Sequence, residues 1–229
     1  NSSVAYVYSF LPTDFGRVSD AMMESATDNS VYTWENNSIY YITNGIWSPL
    51  KRVDDGWSFW NGVRSANLFL EDFDPKVLER FQYNEDYDEM IDKASKFSLE
   101  VRFLRAFYLF ELAKRYGDIP LITRTYTQEE INSVRKTSFA DVIDFIAKEC
   151  TEITREGGLP EDGVRGETGR VTKGAALALK SRALLYAASE LHNPGHDLTK
   201  WEAAAKAAYE VIKMNKYQLP KVSTDPLYS

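Results

Sequence analysis

Glu100-Val101-Arg102-Phe103-Leu104-Arg105-Ala106-Phe107-Tyr108-Leu109-Phe110-Glu111-Leu112, followed by Tyr116-Gly117-Asp118-Ile119-Pro120-Leu121, decides how this chain folds. Phe97, Val101, Leu104, Tyr108 and Leu112 recur every three or four positions, which is the period of one helix face. Phe103, Ala106, Phe107, Phe110 and Ala113 lay a second apolar stripe beside the first, so burial on most sides is expected. Gly117 suits the left-handed turn that ends a helix, and Pro120 cannot continue one. The pattern predicts a helix over residues 83–116.

Working outward, the same period returns downstream. Phe139, Val142, Ile143, Ile146, Cys150 and Ile153 follow Ser138, whose hydroxyl suits an N-cap. Thr172 opens a third helix through Ala175, Ala176, Leu179, Ala183, Leu184 and Tyr186 to about Ser189. Thr199-Lys200-Trp201-Glu202 reads as a capping box for a fourth, with Trp201, Ala204, Ala205, Ala208, Val211 and Ile212 inside. Upstream, residues 55–71 and 14–26 also read as helical. Strand patterning is poor throughout. The last two helices are expected to pack closely through Ala-rich faces, joined by His192-Asn193-Pro194-Gly195-His196. Arg105-Ala106-Phe107-Tyr108-Leu109 and Arg182-Ala183-Leu184-Leu185-Tyr186 are loosely alike, at a separation near two tetratricopeptide periods. Helical bundles without repeats share such pairing.

Composition narrows the function. The 229 residues carry 34 acidic and 27 basic side chains, a formal charge of −7, which leaves no basic footprint for nucleic acid. Gly at 12 and Pro at 8 fall below average usage, against a loop-rich or all-β fold. The single Cys150 excludes an internal disulfide framework and a cysteine zinc site. No apolar run is long enough to span a bilayer, and Asn1-Ser2-Ser3-Val4 does not open a signal peptide. The tail from Leu219 to Pro226 ends in polar loop chemistry. Both ends read as cuts, so residues 1–229 are expected to form a single helical domain of a longer protein.

No catalytic constellation stands out. His192 and His196 have a metal-like spacing, but Pro194 and Gly195 break any helix between them, and a plain turn is the better account. The carboxylate pairs Asp54-Asp55, Asp86/Asp88 and Glu129-Glu130 sit at loops or helix starts, where they suit capping better than acid–base work. Nucleophile elbows, glycine-rich dinucleotide loops and Walker loops are all missing from the sequence. Cys150 lies on an apolar face as a small hydrophobe. No metal and no cofactor is expected.

The tryptophans are the unusual feature. Trp34, Trp47, Trp57 and Trp60 crowd one region with Tyr32, Tyr40, Tyr41 and Phe59, among Asn29, Asn36, Asn37 and Asn44. Trp60, with Val63 and Asn67, is expected to face inward. Loop indoles beside amides suit a sugar or peptide, because an indole stacks on the apolar face of a pyranose while amides bond its hydroxyls. Ordinary core burial competes with that reading. Trp34, Trp47 and Trp57, with Tyr41 a weaker member, are the candidate ligand-binding residues.

The long motif quoted first closely resembles the signature helix of the SusD/RagB family. Gly169-Arg170-Val171-Thr172-Lys173-Gly174-Ala175-Ala176-Leu177-Ala178-Leu179-Lys180 resembles a second family motif, with Arg182 and Tyr186 following in place. Ser138-Phe139-Ala140-Asp141-Val142, Leu159-Pro160 and Trp60-Val63-Arg64-Asn67 resemble weaker family elements in the same order. Val101 and Cys150 depart from the usual Ala and acidic residue.

The resemblance implies an all-α fold, with antiparallel helix pairs packed as a tetratricopeptide-like, right-handed scaffold with a loop-rich ligand-facing side. It also implies a non-catalytic, surface-exposed lipoprotein of a Bacteroidetes-type outer membrane. Such a protein would pass a glycan or peptide to a SusC-like TonB-dependent transporter. Membrane contact would come only through a lipid anchor on a cysteine upstream of Asn1. The alternative is a repeat scaffold that only holds a partner protein. The helix pair over residues 172–213 is expected to dock the transporter through Lys180, Lys200, Lys206, Glu202 and Glu210.

Overall fold

The computed structural model describes residues 2–13, 15, 18–163 and 168–219. Among the described residues eight α-helices follow one another: α1 (Ser2–Tyr8), α2 (Tyr40–Thr43), α3 (Phe59–Asp72), α4 (Tyr87–Tyr116), α5 (Gln128–Ile131), α6 (Phe139–Ile153), α7 (Lys173–Ala188) and α8 (Leu198–Lys213). Short 3-10 turns lie at Met23–Ala26 and Pro75–Phe81. The fold is all-α, with α3 on α4, α4 on α6, α6 on α7 and α7 on α8 in the tetratricopeptide-like manner. Among the described residues only isolated bridges, such as Ile119 with Thr137, stand in for strands.

Local chemistry sets the helix ends. The amide of Gly117, at φ 68°, donates to Ala113 O at 2.8 Å and closes α4. Ser138 accepts from the Asp141 amide and Thr172 from the Ala175 amide, opening α6 and α7. At α8 the expected box does not form. Asp197 caps instead, accepting from both the amide and the hydroxyl of Thr199, because its carboxylate stands two residues earlier and is the stronger acceptor. A genuine box sits at α5, where Thr127 and Glu130 satisfy each other's backbone amides.

The stretch over 14–26 is a correction. Asp14 lies outside the described residues, as do Pro220 to Pro226 of the tail. Ser19 and Asp20 take φ of 47° and 69° in a tight reversal bridging Val18 to Ala21, so only the 3-10 turn remains helical. The helix expected from residue 55 begins at Phe59, after a left-handed Gly56. The stripe expected inside α8 is also redistributed. Ala204 and Ala207 are buried against α7, while Leu198, Trp201, Tyr209 and Ile212 face outward.

The main core gathers around α4, whose Leu104, Tyr108, Leu109 and Leu112 are fully buried. Where α3 crosses α4, Gly62 lies flat on the Tyr108 ring; a Cβ there would come within 2.6 Å of it. The Tyr108 hydroxyl donates to Val7 O at 2.6 Å, fastening α1 to the same crossing. A small second core of Val18, Ala21 and Ile39, flanked by Tyr32 and Tyr40, organises the loops before α3.

Charged side chains of α4 also enter the interior, where Glu100, Arg105 and Glu111 are buried and Arg102 is half-buried. Arg102 grips Glu149 of α6 through Nε at 3.1 Å and Nη2 at 2.7 Å, and reaches Glu152 at 2.6 Å. Arg105 bonds Glu149 Oε2 at 3.1 Å, Asn67 Oδ1 at 2.9 Å and Thr123 O at 2.9 Å. Glu100 holds Arg170 and accepts from the Tyr8 hydroxyl at 2.5 Å. Glu111 binds Lys114 and Arg115, and Arg115 continues to Asp54. Burial opposes ionisation of Glu149 and Glu111, but their cationic partners prevail and hold both carboxyls below the usual carboxylate range.

Three outcomes follow. Arg105→Ala leaves Glu149 partly unpaired in the interior and should cost about 3–5 kcal/mol in denaturant unfolding. Because the folded-state pKa values of Glu149 and Glu111 are depressed, the unfolded chain binds more protons as pH falls. Their contribution is therefore complete above the ordinary carboxylate pKa of about 4 and is lost on further acidification. A pH series of unfolding midpoints should show this loss, with a shallower slope in Glu149→Gln. Gly62→Ala should destabilise by about 1–3 kcal/mol through overpacking against Tyr108.

Candidate ligand-binding cleft

An open cavity of about 770 Å³ lies between α3 and the segment that leaves α4. That volume is ordinary for a small-ligand site. One wall is a helical stripe, since Trp57, Trp60, Arg64 and Leu68 succeed one another at spacings of three or four residues. The opposite wall runs from Tyr116 through Pro120, Arg124 and Tyr126 to Ile131.

Buried polar groups hold the second wall in place. Asn67 donates to Ile122 O at 3.2 Å and to Arg124 O at 3.1 Å, while Arg105 holds Thr123 O between them. Glu71 then accepts from the Thr125 amide at 2.7 Å and its hydroxyl at 2.5 Å. Those two bonds pull the Glu71 carboxyl below its usual pKa. The outer turn is secured by Arg124, paired with Glu130 at 2.8 Å and lying 4.0 Å from the centroid of the Tyr126 ring.

The four expected residues do not share one place. Trp57 lines the cleft, edge-on to Tyr116 with centroids 5.8 Å apart, and the Tyr116 hydroxyl donates to Asp55 O. Trp34 and Trp47 stand on the loops around the second core, outside the cleft lining. Trp34 meets Tyr32 edge-on at 6.1 Å, and the Trp47 amide donates to Tyr41 O at 2.8 Å. Tyr41 is half-buried beneath the Lys51 ammonium, 5.5 Å from its centroid. Trp34, Trp47 and Trp57 are 70%, 63% and 60% exposed, so core burial does not explain these three indoles in this chain.

Trp60, expected to face inward, is half-buried and shared between core and cleft. Tyr126 and Arg124 were not singled out from the sequence. Their signal is the alternation in Thr123-Arg124-Thr125-Tyr126-Thr127, which marks an extended segment with a polar face. Tyr116 and Asp118, read only as the end of a helix, also line the cleft.

The other reactive types are engaged structurally. His192 stacks on Phe139 at 3.6 Å between centroids, and desolvation lowers its pKa. Burial pushes the Cys150 thiol up to about 12, which makes it a poor nucleophile. Among the described residues no group of three His, Cys, Asp or Glu side chains gathers as a metal site requires. Among the same residues no helix is long and apolar enough to cross a membrane.

Comparison with known proteins bears on this geometry. No curated protein matches the chain. Among solved structures it is similar to a SusD-like protein from Bacteroides fragilis, at 29% identity and TM-score 0.70, over 94% of this chain and 38% of that one. A SusD-like carbohydrate binding protein from the same species matches at 25% identity and TM-score 0.68, over 95% and 40% respectively. A laminarin-binding SusD-like protein has the same fold, at 24% identity and TM-score 0.66, over 92% and 41%. The chain thus spans about two fifths of the length of these structures. The SusD-like family model described as starch-binding and associating with the outer membrane matches residues 7–185. That match runs from the end of α1 into α7, and the chain belongs to the SusD-like family.

Proposed function

We propose that this chain is the helical scaffold of a non-catalytic, outer-membrane nutrient-binding lipoprotein that captures glycan for a SusC-like TonB-dependent transporter. The observation that carries the reading is the aromatic cleft beside α3, found in a chain of a family described as starch-binding. Trp57 presents an open indole in that cleft, and Trp34 and Trp47 present open indoles on the separate loops before α3, with Tyr41 half-buried among them. A pyranose ring stacks on such faces while Thr125, Thr127 and Gln128 offer groups for its hydroxyls. Asp118, a carboxylate lining the cleft, accepts the Phe139 amide at 2.8 Å beside the Ser138 cap of α6.

The pair α7–α8 supplies the transporter-facing surface in this reading. Its charges are largely answered within the pair, Lys180 by Glu210 at 2.9 Å and Lys206 by Glu202 at 2.7 Å. The outward stripe of Trp201, Tyr209 and Ile212 is the part left to a protein neighbour. The same stripe favours the second reading, a scaffold that holds a partner protein and no small ligand. Peptide remains the alternative nutrient.

Two experiments decide between these readings. Calorimetric titration of the intact protein with a polysaccharide panel should find a ligand, and Trp57→Ala should weaken it by roughly 1–2 kcal/mol with little loss of stability. Trp34→Ala and Trp47→Ala should act in the same direction. Pull-down of the intact lipoprotein from outer membranes should recover a TonB-dependent channel. No glycan affinity together with recovery of soluble partners alone would establish the scaffold reading instead.

A further inference from the structure

Charge inside the cleft runs against charge in the whole chain. The chain carries −7, yet Arg64, Arg124 and Lys136 line the cavity and, among the described residues, Asp118 is its single carboxylate. That carboxylate accepts the Phe139 amide through Oδ1, and three cations line the cavity against it. The charge of Arg124 is answered in part by Glu130. Arg64 and Lys136 are not answered: among the described residues neither has a hydrogen-bond or ion-pair partner, and both side chains are exposed.

Position sharpens the point. Arg64 stands one helical turn beyond Trp60, with Leu68 one turn further, so its guanidinium borders an apolar, aromatic floor. Lys136 comes from the far wall, on the approach to α6. Apolar walls lower the local dielectric and strengthen the attraction of these cations for an anion. A guanidinium pairs two-pronged with a carboxylate or sulfate, while the neighbouring indole takes the C–H face of the same sugar.

We propose that the cleft selects an acidic saccharide, one bearing carboxylate or sulfate groups, over a neutral glucan. The inference rests on the glycan-binding reading above. It assigns Arg64 and Lys136 as the anion-recognising residues, with Trp57 and Trp60 as the stacking platform.

The test titrates the intact protein with polygalacturonate, dextran sulfate and neutral laminarin at low and moderate salt. Polygalacturonate or dextran sulfate should bind more tightly than laminarin, with affinity falling as salt rises. Arg64→Gln and Lys136→Gln, both at exposed positions, should each weaken that binding roughly tenfold, the size of a charge-assisted hydrogen bond. Their melting temperatures should stay unchanged, and Trp57→Ala should weaken binding without altering its salt dependence. A preference for polygalacturonate assigns a carboxylate sugar, and one for dextran sulfate assigns a sulfated sugar. Laminarin binding equal to or tighter than that of the acidic polymers overturns the inference and leaves the glycan-binding reading standing. Acidic-polymer binding that survives the Arg64→Gln, Lys136→Gln double substitution overturns it as non-specific. Failure of all three polymers to bind overturns the inference, and the wider polysaccharide panel then decides the glycan-binding reading.

Discussion

The pairing of Arg105 with Glu149 and Asn67 is the constraint on which the rest of the molecule depends. It places a cation at the middle of α4, where α3, α6 and the cleft wall converge. Desolvation opposes the Arg105 charge, and the Nε of the same guanidinium is buried without an acceptor. Such a group persists only because its remaining bonds are well made, and those bonds fix three neighbours at once. Glu149 orients α6, Asn67 orients α3, and the Thr123 carbonyl orients the chain leaving α4. The cleft is therefore an outgrowth of the core. One face of Asn67 serves the interior, and the other carries the backbone that displays Arg124 and Tyr126.

That arrangement explains which features could be read from residue order. The long periodic helices and their caps at Ser138, Thr172 and Gly117 were legible because each depends on neighbours within one turn. The family was legible for the same reason, through motifs that run unbroken along α4 and into α7. Cleft geometry was not legible, because its walls come from residues some 60 positions apart, Trp57 and Tyr116 among them. Arg115 and Tyr116 hold the chain at Asp54 and Asp55, and Asn67 and Arg105 hold the far wall at residues 122–124. A sequence signal for Asn67 and Arg105 did exist: charged and amide side chains standing inside otherwise apolar faces ask for buried partners. The exposure of Trp34, Trp47 and Trp57 was left open by sequence, because an indole suits a core and a surface equally well.

The errors share a cause as well. Helical period suggests a helix over residues 14–26, yet residues 18–22 reverse tightly on a core of only a few side chains, with left-handed backbone at Ser19 and Asp20. Asp197 displaced the expected cap of α8 because the carboxylate nearest the helix start takes the free amides. The stripe of Trp201, Tyr209 and Ile212 has a helical period but no partner among the described residues. Periodicity reports that a face exists, and it cannot report what covers it.

The first helix carries a consequence for how the molecule assembles in time. Its last residues are fastened by Glu100, Tyr108 and Val171, at sequence separations of 92, 101 and 163. A seven-residue helix has little stability of its own, so α1 cannot hold until those partners exist. This segment must then wait on the turn before α7, while α3, α4 and α6 pair locally. Contacts across such spans are slow to close. A short helix placed early in the sequence thus depends for its hold on residues 92 or more positions later.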